Sequence, residues 1–202
     1  MFLSIKNVPK VSWSSDKPFN LKPKISTSFF LFFGLILFGL GEGLLIVSAA
    51  GASPWSVLAQ GIHLSINLSV GITTILISIV VLFFWFSLNQ KPGIGTILNA
   101  LIIGLIIDMC IKFIPIPENY IFQLLLAIIA VLIVGLGGGI YLVANLGPGP
   151  RDGLMIGLQK QTNLPIAVVR ASLEITPKSL RLRKAILNPT DRKKNEKSGT
   201  PL

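Results

Sequence analysis

Residues that build metal and redox sites are nearly missing from this 202-residue chain: it holds one cysteine, Cys110, and one histidine, His63. A lone thiol excludes an intrachain disulfide and a thiolate metal cluster, and a lone imidazole cannot build a cluster either. No metal site and no cofactor are therefore expected. Cys110, inside an apolar stretch, reads as a small buried residue, and His63 as a loop or interfacial one. Charge is scarce too: Asp, Glu, Lys and Arg make up 13% of the chain, and only 8 residues are acidic. The sequence shows no nucleophile–base pair and no phosphate-cradling loop, and its glycine runs lack a strand–turn–helix setting. No catalytic residue is assigned, and an enzyme is not expected.

What is abundant is apolar. The chain is 51% hydrophobic with a mean hydropathy of +0.75, and the apolar residues fall in blocks at 29–50, 68–88, 94–114 and 120–146. Each block is near or above the roughly 20 residues a helix needs to cross the hydrocarbon of a bilayer. An all-α integral membrane protein follows, with about four transmembrane helices, short re-entrant or interfacial helices, and the lipid bilayer as its first partner. The stretch 164–175 contains Arg170 and Glu174 and is too short and polar to be a fifth span. Ser48-Ala49-Ala50 imitates a signal-peptide cleavage site, but the run before it is too long and its glycine pattern recurs internally, so no cleavage is expected.

The net charge of +10 comes mostly from the two ends. A basic arm, 1–27, carries Lys6, Lys10, Lys17, Lys22 and Lys24 against Asp16, and a basic tail, 177–202, reads as disordered. The tail has no aromatic residue, so it suits cytoplasmic retention and anionic headgroups rather than nucleic acid. By the positive-inside rule both termini are cytoplasmic. Residues 51–67 lack Lys and Arg and lie outside, Lys91 marks an inner turn, and Arg151 and Lys160 lie inside.

The membrane region, 28–176, says one passage twice. Gly39-Leu-Gly-Glu-Gly-Leu-Leu-Ile-Val returns as Gly135-Leu-Gly-Gly-Gly-Ile-Tyr-Leu-Val, and Gly51, Pro54, Leu58, Gly61 and Asn67 return as Gly147, Pro150, Leu154, Gly157 and Asn163, at a constant offset of 96 residues. Three spans lie between the two starts, so the copies face opposite sides. The predicted architecture is an inverted repeat, with repeat A about 29–114 and a partial repeat B about 120–176. Gly39-x-x-x-Gly43 and Gly135-x-x-x-Gly139 are expected to let the first helices of the two repeats cross closely. Pro54 after Ser53, and Pro150 after Gly149, start two short helices at 54–64 and 150–160. If re-entrant, their N-termini would favour an anion; if interfacial, they are connectors, as Gln159, Lys160 and Gln161 suggest.

Three residues are candidates for a substrate or ion site. Glu42 is an intramembrane carboxylate with Gly138 at its counterpart position, and such groups suit proton-coupled movement. Arg151 and Asp152 stand where the first copy has Trp55 and Ser56. Arg151 could hold a carboxylate or phosphate, and Asp152 suits a helix N-terminus; plain anchoring and dipole complementation would explain both equally. Asp108 is expected to pair with Lys112 one turn on.

The run 145–158, with Gly147-Pro-Gly-Pro-Arg-Asp-Gly153 at its centre, resembles the signature of YczE-type bacterial membrane proteins, grouped loosely with the YitT proteins. Residues 51–61 and 93–99 resemble the same pattern. The resemblance implies a polytopic protein of the bacterial inner membrane and names no substrate. Such proteins continue with further apolar helices where this chain turns basic after Thr176. A truncated or frame-shifted C-terminus is therefore expected, leaving an incomplete second repeat that would need a partner. A transporter-like protein is the leading expectation, and a non-transporting scaffold or accessory factor the alternative. A homo-oligomer or a protein partner fits either.

Overall fold

A computed structural model describes residues 11–165 and 167–173. The tail 177–202, and with it the expected C-terminal departure, lies outside the described residues. The described chain is all-helical: α1 (Ile25–Val47), α2 (Pro54–Ile66), α3 (Val70–Ser87), α4 (Ile94–Phe113), α5 (Tyr120–Val143) and α6 (Pro150–Thr162), with helical residues again at 167–173. Helices α1, α3, α4 and α5, of 23, 18, 20 and 24 residues, are long and apolar enough to span. At about 1.5 Å per residue they match a hydrocarbon core about 30 Å thick. Their outer faces carry large apolar side chains such as Phe86, Leu132 and Phe122. Lipid solvates such a surface and water does not, so this is an integral membrane protein.

The repeated sequence folds into repeated local structure. α1 and α5 end on Ser48 (φ −60°, ψ −21°) and Ala144 (φ −59°, ψ −23°). Each is followed by a left-handed residue, Ala49 (φ 55°) or Asn145 (φ 54°). α2 and α6 then run for 13 residues each, both start with proline, and both stop at a left-handed asparagine, Asn67 or Asn163. Asparagine tolerates that conformation because its short amide bonds locally.

α1 packs against α5 and α4, while α3 packs against α2, α4 and α6. The α1–α5 crossing corrects the expectation for the glycine pairs. A Cβ on Gly41 would lie 2.7 Å from Val134 N and 2.9 Å from Ala130 O; one on Gly137 would lie 2.5 Å from Phe38 N and 2.8 Å from Gly34 O. The crossing is therefore made by Gly34, Gly41 and Gly137. Gly39 and Gly43 instead receive α4, at Ile106 Cβ (2.9 Å) and Cys110 Cβ (2.6 Å) from a built Cβ, whereas Gly135 and Gly139 meet nothing within 4 Å among the described residues. Gly39 and Gly43 lie on a different stripe of α1 from Gly34 and Gly41. A block that is apolar all round gives no periodicity from which to choose between stripes.

Asp108 also departs from expectation. Its carboxylate accepts from Ser69 Oγ (2.5 Å) and Gly71 N (2.7 Å), capping α3 rather than pairing with Lys112. A helix N-terminus offers free N–H groups and a positive dipole end, and in an apolar setting these outcompete a lysine that can reach the headgroups. The described part of the arm folds back on the α5–α6 break. Ser14 Oγ donates to Val143 O (2.7 Å), Ser15 N to Ala144 O (3.1 Å), and Asn145 Nδ2 to Ser15 O (2.7 Å). The orphan carbonyls at the end of α5 are thereby satisfied.

Candidate functional site

Glu42 sits on α1 five residues before the helix ends, and it is 4% exposed. After Ala49 the chain reverses, and Ser53 caps α2 by accepting from Ser56 N (3.2 Å). The same turn brings two hydroxyls onto the carboxylate: Ser53 Oγ donates to Glu42 Oε2 at 2.9 Å and Ser56 Oγ at 2.7 Å. A buried carboxylate needs such donors. The N-terminus of α2 thus points back along α1 toward its interior.

α6 repeats the manoeuvre on α5. The break at Asn145 and Gly147 (φ 109°) turns the chain, Gly147 taking a φ that costs a side-chain-bearing residue dearly. The N-terminus of α4 locks the turn. Gly95 N donates to Leu146 O (2.8 Å) and Thr96 Oγ1 to Pro148 O (2.7 Å). From α3, buried Trp85 donates its indole N–H to Pro150 O (3.0 Å). Tyr141 donates its hydroxyl to Asp152 Oδ2, so Asp152 faces α5 instead of solvent.

Arg151 joins the two halves. Its Nη2 lies 3.6 Å from Glu42 Oε1. Its guanidinium also sits 5.9 Å from the Phe38 ring centroid and 5.8 Å from that of Trp55, within reach of both aromatic quadrupoles. Trp55 and Arg151, placed on opposite surfaces by the sequence reading, are neighbours. Both sit in the first turn of their helices, Trp55 in α2 and Arg151 in α6.

Glu42, Arg151 and Asp152 all line one cavity of about 420 Å³, together with Ser53, Asn99, Tyr141 and Arg170. The indole N–H of Trp55, on the same wall, is buried with no acceptor among the described residues, a donor open to a water or a solute. The wall combines the Glu42–Arg151 ion pair, neutral hydroxyls, an amide and two helix N-termini. That mixture suits reversible binding of a small polar or charged solute. Among the described residues no three His, Cys, Asp or Glu side chains gather as metal ligands.

Sequence reasoning missed Ser56, Tyr141 and Asn99. For Ser56 the signal was present: it is the offset counterpart of Asp152. Asn99 had only its place in the Gly93–Asn99 run, and Tyr141 replaces Leu45 of the first copy, a difference without a polar partner nearby in sequence.

The chain matches a family described as "Family of unknown function (DUF6198)" over residues 25–182. It is 37% identical over 172 residues to an uncharacterized protein of Haemophilus influenzae, covering 85% of this chain and 78% of that one. It is 33% identical over 149 residues to the uncharacterized membrane protein YczE of Bacillus subtilis, covering 73% and 69%. The uncharacterized protein YyaS of the same organism is 32% identical over 139 residues, covering 65% and 69%. No solved structure matches the chain.

Proposed function

The chain belongs to the DUF6198 family and is of YczE type, and from that premise we propose that it is a transporter-like protein of the bacterial cytoplasmic membrane. It would move a small polar solute or ion without chemical change, with Glu42, Arg151 and Asp152 at the binding site. The observation that carries this reading is the meeting of two inward-turned helix N-termini on one cavity with a buried carboxylate and an arginine. Broken helices whose N-termini face a central site are a recurrent device for binding within a bilayer.

An inverted arrangement of the two copies belongs to the same reading, and one set of contacts supports it. The atoms around Gly41 (Val134 N, Ala130 O) and around Gly137 (Phe38 N, Gly34 O) interchange under the 96-residue offset. Helices that cross antiparallel with interchangeable contacts fit a two-fold axis through the crossing, which would pass between Gly39 and Leu40 on α1 and their counterparts on α5. The left-handed breaks then lie about 12–14 Å from the axis along each helix, within a hydrocarbon half-thickness of about 15 Å. Glu42 lies only about 4 Å from it.

Two measurements test the proposal. In a Cys110→Ser background in intact cells, a membrane-impermeant maleimide is expected to label Ser65→Cys at the end of α2 and to spare Gln161→Cys at the end of α6 until the membrane is permeabilised. Equal labelling from one side would remove the inverted arrangement. In proteoliposomes carrying a pH-sensitive dye and challenged with a panel of small organic anions and zwitterions, the protein is expected to give a flux signal that Glu42→Gln abolishes. An unchanged signal in Glu42→Gln takes that residue out of the mechanism, and no flux for any member of the panel would favour the scaffold reading.

A further inference from the structure

Four glycines, Gly51, Gly61, Gly135 and Gly139, have nothing within 4 Å of a built Cβ among the described residues. Their counterparts at the 96-residue offset are Gly147, Gly157, Gly39 and Gly43, and every one of those is covered. Gly147 lies against Gly93 and Thr96, Gly157 against Leu88 and Gln90, Gly39 against Ile103 and Ile106, and Gly43 against Ile107 and Cys110. All the covering residues belong to α4, its N-terminal approach, or the end of α3. Among the described residues, the bare glycines thus mark the half of the repeat that carries no α4-like helix. The cavity opens along this same face, where Val131, Gly135 and Gly139 line it.

We propose that this face of α5 and the 50–53 turn is a docking site for a transmembrane helix of α4 chemistry supplied by another polypeptide, and that its arrival closes the solute cavity. The inference rests on the two-fold relation argued above and is independent of whether solute moves. The seat occupied by α4 specifies the partner. The helix needs a glycine whose N–H can reach Ala50 O, as Gly95 reaches Leu146 O, followed by a hydroxyl residue to bond Ala52 O, as Thr96 bonds Pro148 O. An amide three positions later would stand beside Ser53, as Asn99 stands beside Gly149. Aliphatic and small residues must then lie on Gly135 and Gly139. The helix must also run antiparallel to α4. At the corresponding register this chain's sequence reads Asp191, Arg192, Lys193 and Lys194, which is not the glycine, hydroxyl and aliphatic pattern that the seat calls for.

The probe is a single-span peptide with the sequence of residues 93–114, oriented with its C-terminus cytoplasmic by appended lysines. It is co-expressed with the full chain carrying Cys110→Ser and Gly139→Cys. Because Cys110 faces Gly43 in the occupied copy, and a disulfide needs Cα atoms within about 7 Å, the peptide's thiol is expected to bridge to position 139 several-fold more than to a Leu136→Cys control on the exposed side. Adding Gly135→Leu is expected to abolish it. Equal crosslinking at 136 and 139 overturns the proposal. So does a 139–139 disulfide between two copies that the peptide does not suppress, since a second copy would then be the occupant. The readout is independent of flux, so failure of the transport reading leaves it standing and its own failure leaves transport untouched.

Discussion

Gly41→Ala and Gly137→Ala are each expected to lower the stability of the bundle by about 1–3 kcal/mol, the usual cost of overpacking, and to do so by similar amounts. Each added methyl group would meet backbone atoms of the other helix, Val134 N and Ala130 O in one case and Phe38 N and Gly34 O in the other. Backbone cannot rotate away as a side-chain tip can, so α1 and α5 must separate along their whole crossing. That separation loosens the buried cluster of Leu31, Leu35, Tyr141, Ala144 and Leu146 beside it. Gly139→Ala is expected to do the reverse. With no neighbour to displace, it gains up to about 0.5–1 kcal/mol from helix propensity alone. Thermal unfolding of the purified protein in mild detergent reads all three. A large difference between Gly41→Ala and Gly137→Ala would deny that the two sites are equivalent, and a loss at Gly139→Ala would show that its face is already occupied.

The contrast between Gly137 and Gly139 also shows where sequence reasoning stops. The offset, the prolines at 54 and 150 and the caps at 53 and 149 were all legible, because each depends on local backbone chemistry; the helix ends, placed at 64 and 160, fall instead at the left-handed asparagines 67 and 163. So were the four spans, which depend only on length and hydropathy. The face of α1 that meets α5 was not. Gly34, Gly39, Gly41 and Gly43 are chemically alike, and in an apolar block no polar side marks the outside. Glu42, Arg151 and Asp152 could be named as candidates for their charge, yet their convergence required knowing that α2 and α6 turn inward. The polarity of Gln159, Lys160 and Gln161 argued for an interfacial α6 and describes only its far end. Asp108 was assigned to a lysine on its own helix because a partner from α3 cannot be read from spacing.

Arg151→Met is expected to be more damaging than Glu42→Gln, although the two remove opposite ends of the same ion pair. Losing the guanidinium leaves a buried carboxylate with only the hydroxyls of Ser53 and Ser56, and stripping one partner from a buried pair costs about 3–5 kcal/mol. Arg151 is about a quarter exposed, at 24%, and water in the cavity can reach Glu42, so a value near the low end, about 3 kcal/mol, is expected. Glu42→Gln keeps an oxygen that accepts from both serines and leaves Arg151 against the Phe38 and Trp55 rings, so about 1 kcal/mol is expected. The double variant Glu42→Gln/Arg151→Met should then recover part of the loss of Arg151→Met, giving a coupling of about 1–3 kcal/mol in thermal unfolding. Strict additivity would mean that the two charges share a cavity without sensing one another. A coupled pair has a direct consequence for transport. On the transport reading, a solute that takes Arg151 from Glu42 must replace the charge it removes, so an anionic group would be favoured at Arg151 only if Glu42 kept its two serine donors. On that proposal the pair would tie entry of one charge to the fate of another, as coupled movement through a bilayer requires.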